Sequence, residues 1–341
     1  MKALYYDSLT GYRGIRIGDF PKPAIGDTEV LVRVKAFSLN HLDVWIMEGK
    51  YPVTVPLPRI FASDAAGVVE EAGKEVTHVR AGDEVVLYPG LSCGRCERCL
   101  SGRDNECKGF SLLGVMTDGV SAEYVKVPGA NVFRKPAGLS FEEAAGIGIT
   151  YITSWNSLVL RAGIQYGDTV LVHAAGSGVG TALIQVARLF GATIIATVGD
   201  EAKAQKARAL GADHVINYRT EDFAEAVKNF TAGELADIAV DHVGADTFSR
   251  SLASVKRGGK VVTFGATSGD AVPVSLRHIF GKNLTIHGVY VGPRAALGQL
   301  LRFFPRRLRT VVDSVFDFAD APKAYEKLLS RRFFGKIVVR V

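Results

Sequence analysis

The spacing of hydrophobic and polar positions changes partway along the chain. In the first 135 residues, apolar residues form short runs separated by glycine and proline: EVLVRVKAFSL (29–39), GVVEEAG (67–73), GDEVVLYPG (82–90) and SAEYVKVP (121–128). Short β-prone runs between turn residues predict a compact, barrel-like β domain ending near Pro136. From Gly167 the pattern becomes strand–helix: GDTVLVHAA, GVGTALIQVARLFG, ATIIATV, EAKAQKARALG, then HVINY, EDFAEAVKNF, DIAVDHV, TFSRSLASVKRGG (247–259), KVVTFGA and LTIHGVYV (284–291). Strands apolar on both sides, alternating with amphipathic helices, predict a parallel sheet covered on both faces, a doubly wound α/β domain. The tail predicts a strand at VVDSVFDF (311–318), then a helix and strand in APKAYEKLLSRRFFGKIVVRV (321–341). Its β segments have two possible homes, the parallel sheet or the N-terminal barrel.

At 341 residues and 48% hydrophobic content, two adjoining cores fit better than one. Neither an N-terminal apolar export segment nor a run long enough to span a bilayer is present, so a soluble cytoplasmic protein with no membrane partner is expected. Net charge is +6, but the basic residues are dispersed apart from RFFPRRLR (302–309) and Arg331-Arg332. Those clusters read as solvated helix faces or the rim of an anionic cofactor site, so no nucleic-acid partner is expected.

All four cysteines, Cys93, Cys96, Cys99 and Cys107, lie within fifteen residues. In a reducing compartment that density indicates metal ligation rather than disulfides. Four thiolates fill a tetrahedral zinc shell and leave no position for water or substrate, the pattern of a structural site. An iron–sulfur centre uses the same ligands. Zinc is favoured because Arg95, Glu97 and Arg98 lie between the cysteines and nothing else suggests an electron path. The seven histidines form no H-E-x-x-H or H-x-H pair, and only His41, in SLNHLDVWIMEGKYP, has polar company of interest.

HAAGSGVGTALIQVA (173–187) places Ala175, Gly176, Ser177, Gly178, Val179 and Gly180 at the turn between the first parallel strand and its helix. Small residues there let backbone approach a pyrophosphate at the helix N-terminus, although the strict G-x-G-x-x-G is absent. The second strand ends at Val198-Gly199, followed by Asp200. Gly199 leaves room for a 2'-phosphate that Lys203 and Arg219 would neutralise, which favours NADPH. Asp200 would favour NADH, unless it serves as the N-cap of the next helix.

With these pieces together, the chain resembles the medium-chain dehydrogenase/reductase superfamily over nearly its whole length. The likeness rests on Asn40-x-x-Asp43, Tyr51-Pro52, Gly67 and Gly73, Gly82-Asp83-Glu84-Val85, the cysteine lobe, Ala122-Glu123-Tyr124 and the AAGSGVG turn. It implies a GroES-like β-barrel catalytic domain (1–135, with a zinc lobe at about 89–109), a Rossmann domain (136–304) and a return to the catalytic domain (305–341). It also implies a substrate cleft between the two domains. Zinc enzymes of the superfamily place ligands where this chain has Asn40, Ser63 and Ile149-Thr150. The resemblance therefore implies a relative of the quinone oxidoreductases that keeps one structural zinc and lacks the catalytic one. Such a chain would pass hydride from NADPH (or NADH) to a quinone, enal or enone. Tyr51 is the first candidate hydrogen-bond donor, with cleft packing as its alternative, and Asn40 is the second. Asp43 and Asp64 are further site candidates whose alternative role is to fix the loop. The resemblance also implies a homodimer paired through the LTIHGVYV edge. Two other classes stay open: an alcohol dehydrogenase with a weak metal held by Ser63, Asp64 and His41, and a non-enzymatic dinucleotide-binding protein.

Overall fold

The computed structural model describes residues 1–341 as two compact units. The first comprises Met1–Ile152 and Pro293–Val341, the second Thr153–Gly292. Residues 136–152 thus belong with the first unit, where the helix Phe141–Ala145 packs on the strands Glu29–Ser38 and Asp64–Ala72.

The main sheet of the first unit runs, in spatial order, through Val132–Arg134, Glu84–Leu87, Asp64–Ala72, Glu29–Ser38, Lys336–Arg340 and Val312–Asp317, with Tyr124–Pro128 also on Glu29–Ser38. This answers the question left by the tail: both C-terminal strands enter the GroES-like sheet. Lys336–Arg340 pairs antiparallel with Glu29–Ser38, Val338 opposite Ser38, and parallel with Val312–Asp317. The pairing puts Lys336 at the strand's start beside the loop that follows Ser38, which matters for the site below.

The second unit is a six-stranded parallel sheet in the order His214–Asn217, Thr193–Val198, Thr169–Val172, Ala236–Asp241, Val255–Thr263, Thr285–Gly288. Strand order reverses between Thr169–Val172 and Ala236–Asp241, and ligands of doubly wound folds bind outside the strand C-termini at such a switch. One expected element is shorter than its pattern. The helix predicted over 247–259 ends at Ala253, because Val255 is fully buried opposite Ala236 and opens the next strand, with an irregularity in register before Lys260. The segment 284–291 keeps strand structure only over Thr285–Gly288, at the sheet edge.

Candidate active site and metal centre

The cysteine lobe gathers its four sulfurs in one place. Sulfur–sulfur distances are 3.6 Å for Cys96–Cys99, 3.6 Å for Cys93–Cys107 and 3.9 Å for Cys93–Cys99, and all four Sγ atoms lie within 4.8 Å of one another. A tetrahedral zinc with Zn–S near 2.3 Å requires about 3.8 Å between sulfurs, so the donor set fits that ion. Backbone N–H groups of Arg95 and Cys96 aim at Cys93 and draw its thiol down, while the neighbouring Cys96 thiol is pushed up. The lobe is tied down by the buried Asp104, whose Oδ1 accepts from Arg294 N at 3.0 Å. No other group of three or more His, Cys, Asp or Glu side chains is gathered closely enough to hold an ion.

In the second unit, Ser177 N-caps the helix Gly178–Leu189, its Oγ accepting from Gly180 N at 2.9 Å. The leading N–H groups of this helix have no partner within it and are available to a pyrophosphate. A Cβ at Gly180 would lie 2.4 Å from Ala174 O, so only glycine permits this close packing of helix on strand. Across the switch point, His242 brings Nε2 to 3.4 Å from Ser177 Oγ and stacks on Phe264, while its buried Nδ1 has no partner. Burial draws its imidazole down to about 4, so it is neutral. His173 is buried, bonded to Thr197 and Ser251, and belongs to the framework behind the turn.

At the end of the second strand, Asp200 N-caps the helix Glu201–Leu210, accepting from Lys203 N at 2.8 Å. A Cβ on Gly199 would meet Tyr218 Oη at 2.7 Å and Arg219 Nε at 3.4 Å. Gly199, Tyr218 and Arg219 therefore converge, with Lys203 one helical turn away. Tyr218 escaped the sequence reading, because a tyrosine following an apolar strand carries no distinguishing pattern.

In the first unit the structure joins Asn40 and Asp64 to a residue the sequence reading missed, Lys336. Asp64 is fully buried: Oδ1 accepts from Ile149 N at 2.7 Å and Oδ2 from Asn40 Nδ2 at 2.8 Å. Lys336 Nζ, also buried, reaches Leu39 O at 2.8 Å, Asn40 Oδ1 at 2.9 Å and Asp64 Oδ2 at 3.4 Å. Asp64 can approach the start of the helix Gly148–Trp155 because Gly148 has no side chain; a Cβ there would fall 2.1 Å from Oδ1. Ser63 Oγ donates to Leu113 O at 2.7 Å and Thr150 Oγ1 to Gly146 O at 2.9 Å, so both hydroxyls serve backbone. His41 stands edge-on to Trp45 in the helix His41–Met47. Tyr51 is half-buried in the irregular segment after that helix.

Asp43 supports this cluster from behind. Its Oδ2 accepts from Asn40 N at 2.9 Å and Tyr325 Oη at 3.0 Å. Burial outweighs these donors and lifts its carboxyl from 3.8 to about 7. Between those values the folded chain holds a proton that the unfolded chain has released. The stabilisation is complete below pH 3.8 and is lost as pH rises through 7. Asp43→Asn, whose amide oxygen can still accept both bonds, should remove this dependence. Between the two pH limits, wild-type stability should fall relative to the variant by up to about 4 kcal/mol, measured by denaturant titration across pH. Parallel profiles for the two proteins would count against a protonated Asp43.

Residues 26–137 match the alcohol dehydrogenase GroES-like domain family and residues 178–306 the zinc-binding dehydrogenase family. The chain is 33% identical over 331 residues to an alcohol dehydrogenase of Geobacillus stearothermophilus, covering 96% of each protein. It is 35% identical over 250 residues to quinone oxidoreductase 1 of Escherichia coli, covering 73% of this chain and 68% of the relative. The crystal structure of an NAD-dependent alcohol dehydrogenase superposes over the full length of both chains with a TM-score of 0.97 and 44% identity. The chain belongs to the medium-chain dehydrogenase/reductase superfamily and is an NAD(P)H-linked oxidoreductase.

Proposed function

We propose that this chain is an NADPH-dependent reductase that delivers hydride to a quinone or an activated carbon–carbon double bond, enal or enone, with no catalytic metal. The observation carrying this reading is the Asn40–Asp64–Lys336 cluster: an amide, a carboxylate and an ammonium close on one another, with Ser63 bonded to backbone. Alcohol oxidation by a metal alkoxide needs a Lewis acid to lower the alcohol's pKa, and a buried ammonium disfavours a divalent cation at its side. Reduction of a carbonyl-conjugated acceptor asks less of the protein. A bound nicotinamide supplies the hydride, and the chain need only offer hydrogen bonds to the oxygen that gains charge. Asn40 and Tyr51 are the proposed donors. Asp43 and Asp64 hold the loop that carries Asn40.

The reading is tested by NADPH oxidation with panels of quinones, enals and enones, alongside NAD+- and NADP+-linked oxidation of alcohols. Tyr51→Phe should lower turnover with little change in cofactor affinity. Alcohol oxidation that depends on a second bound metal would establish the other reading, favoured by similarity to an NAD-dependent alcohol dehydrogenase.

NADPH is preferred because Arg219 lies against Gly199 at the end of the second strand with Lys203 on the helix that follows, two cations suited to a 2'-phosphate, and Asp200 is engaged as a helix cap. Lys203→Ala should weaken NADPH more than NADH by about 1–3 kcal/mol, read from cofactor-fluorescence titrations. Equal weakening would assign Asp200 to the ribose and NADH to the enzyme.

A homodimer paired through the Thr285–Gly288 edge is also proposed. That strand has a neighbour on one side only, and Ile286, Leu276 and Phe280 expose apolar surface on it and on the helix Leu276–Lys282. Light scattering should give twice the chain mass; a concentration-independent monomer would reject the assignment. No helix is long and apolar enough to cross a membrane. The four cysteines form no disulfide, which suits a reducing, cytoplasmic setting.

A further inference from the structure

We propose that Lys336 is a positioning residue that fixes the polarity of Asn40, making the acceptor position a donor-only site selective for carbonyl oxygen. For its substrate class the proposal rests on the reductase reading above.

A primary amide has nearly the same shape either way round, so an unconstrained Asn can present an acceptor or a donor. Here Oδ1 faces the ammonium of Lys336 at 2.9 Å, and one Nδ2 hydrogen goes to the carboxylate of Asp64 at 2.8 Å. Turning the amide over would set NH2 against NH3+ and oxygen against carboxylate, exchanging two charge-assisted bonds for two repulsions. Lys336 directs its three hydrogens to Leu39 O, Asn40 Oδ1 and Asp64 Oδ2, which leaves none for a ligand. It acts through Asn40. The amide retains one unspent Nδ2 hydrogen, and Asn40 is the most accessible member of the three, 9% exposed against 3% for Lys336 and 0% for Asp64.

Such a group welcomes an oxygen that has lone pairs and no hydrogen of its own to place. A quinone or enone carbonyl fits, whereas an alcohol brings a proton for which the cluster has no free acceptor. With an enone, hydride from NADPH adds to the β-carbon and the C=C π pair shifts to give an enolate. Asn40 Nδ2–H holds the enolate oxygen, solvent protonates the α-carbon, and NADPH leaves as NADP+. The positive charge of Lys336 strengthens the bond as the oxygen becomes negative, because it polarises the amide in that direction.

The test uses zinc-loaded full-length protein with 2-cyclohexen-1-one and 9,10-phenanthrenequinone. Asn40→Ala should lower kcat roughly 100-fold, and Lys336→Met at least about tenfold, with KM for NADPH unchanged in both. If Lys336→Met does not fold, Asn40→Ala and a second measurement decide. In [15N]Asn-labelled protein loaded with NADP+, the Asn40 side-chain amide is identified by its absence in Asn40→Ala. It should show two resolved hydrogens, and adding 2-cyclohexen-1-one should move one and leave the other. If the hydrogens average together, or neither moves, the proposal is overturned. Normal kcat in Asn40→Ala overturns it too, while the reductase reading survives if the wild type turns over. If the wild type reduces neither acceptor yet one amide hydrogen responds, the polarity stands and the reductase reading fails.

Discussion

Cys96→Ser will give a protein that has lost its lobe and much of its stability, with a catalytic rate per folded molecule that is unchanged. The wild type should carry one zinc per chain by elemental analysis. Its four sulfurs already stand at near-tetrahedral separations, and the set is closed, so the ion has no position to offer a substrate. Serine at position 96 removes one thiolate and much of the affinity. Metal binding here is folding energy, because the lobe has little apolar content of its own. A cost on the order of 4 kcal/mol or more is expected, visible as a large fall in Tm. Chelation of the wild type should reproduce it. Iron with visible absorbance in place of zinc, or lost turnover in a variant that keeps its Tm, would contradict a structural zinc.

What the sequence showed and what it concealed follow from the range of the interactions. The cysteine cluster and the glycine-rich turn were legible because their residues are close in the chain, and the spacing carries the geometry. The doubly wound sheet was legible because each strand and helix has its own period. The helix expected over 247–259 was overextended because Val255 is set by its pairing with Ala236, a contact between distant segments. The Asn40–Asp64–Lys336 cluster draws on positions separated by up to 296 residues. Asn40 and Asp64 were found through resemblance. Lys336 was not, because a lysine at the head of an apolar strand ordinarily extends its amine to water. Only the insertion of that strand beside Glu29–Ser38 encloses it. Asp200 had two readings in sequence: it does cap the helix Glu201–Leu210, and the Lys203→Ala cofactor titrations decide whether it also holds a ribose.

Replacing Asp64 with Ala will be among the most destabilising single changes in the chain, and adding Lys336→Met will restore most of what is lost. Asp64 and Lys336 are 0% and 3% exposed, so their charges have been removed from water and lean on each other. Removing the carboxylate leaves the ammonium with Leu39 O and Asn40 Oδ1 but no opposite charge at that distance. It also uncaps Ile149 N at the start of the helix Gly148–Trp155. Breaking one side of a buried ion pair costs about 3–5 kcal/mol, most of it the penalty on the charge left behind. Methionine removes that charge and fills similar space, so the double variant should return to within about 1–2 kcal/mol of wild type, the residue being the lost helix cap. The two tryptophans allow the units to be followed separately, since Trp45 lies in the first and Trp155 in the second. Denaturant titrations in a Trp155→Phe background would report the first unit alone. If the double variant is no more stable than Asp64→Ala, the loss comes from the helix cap and packing, and Lys336 is not a charge that depends on Asp64.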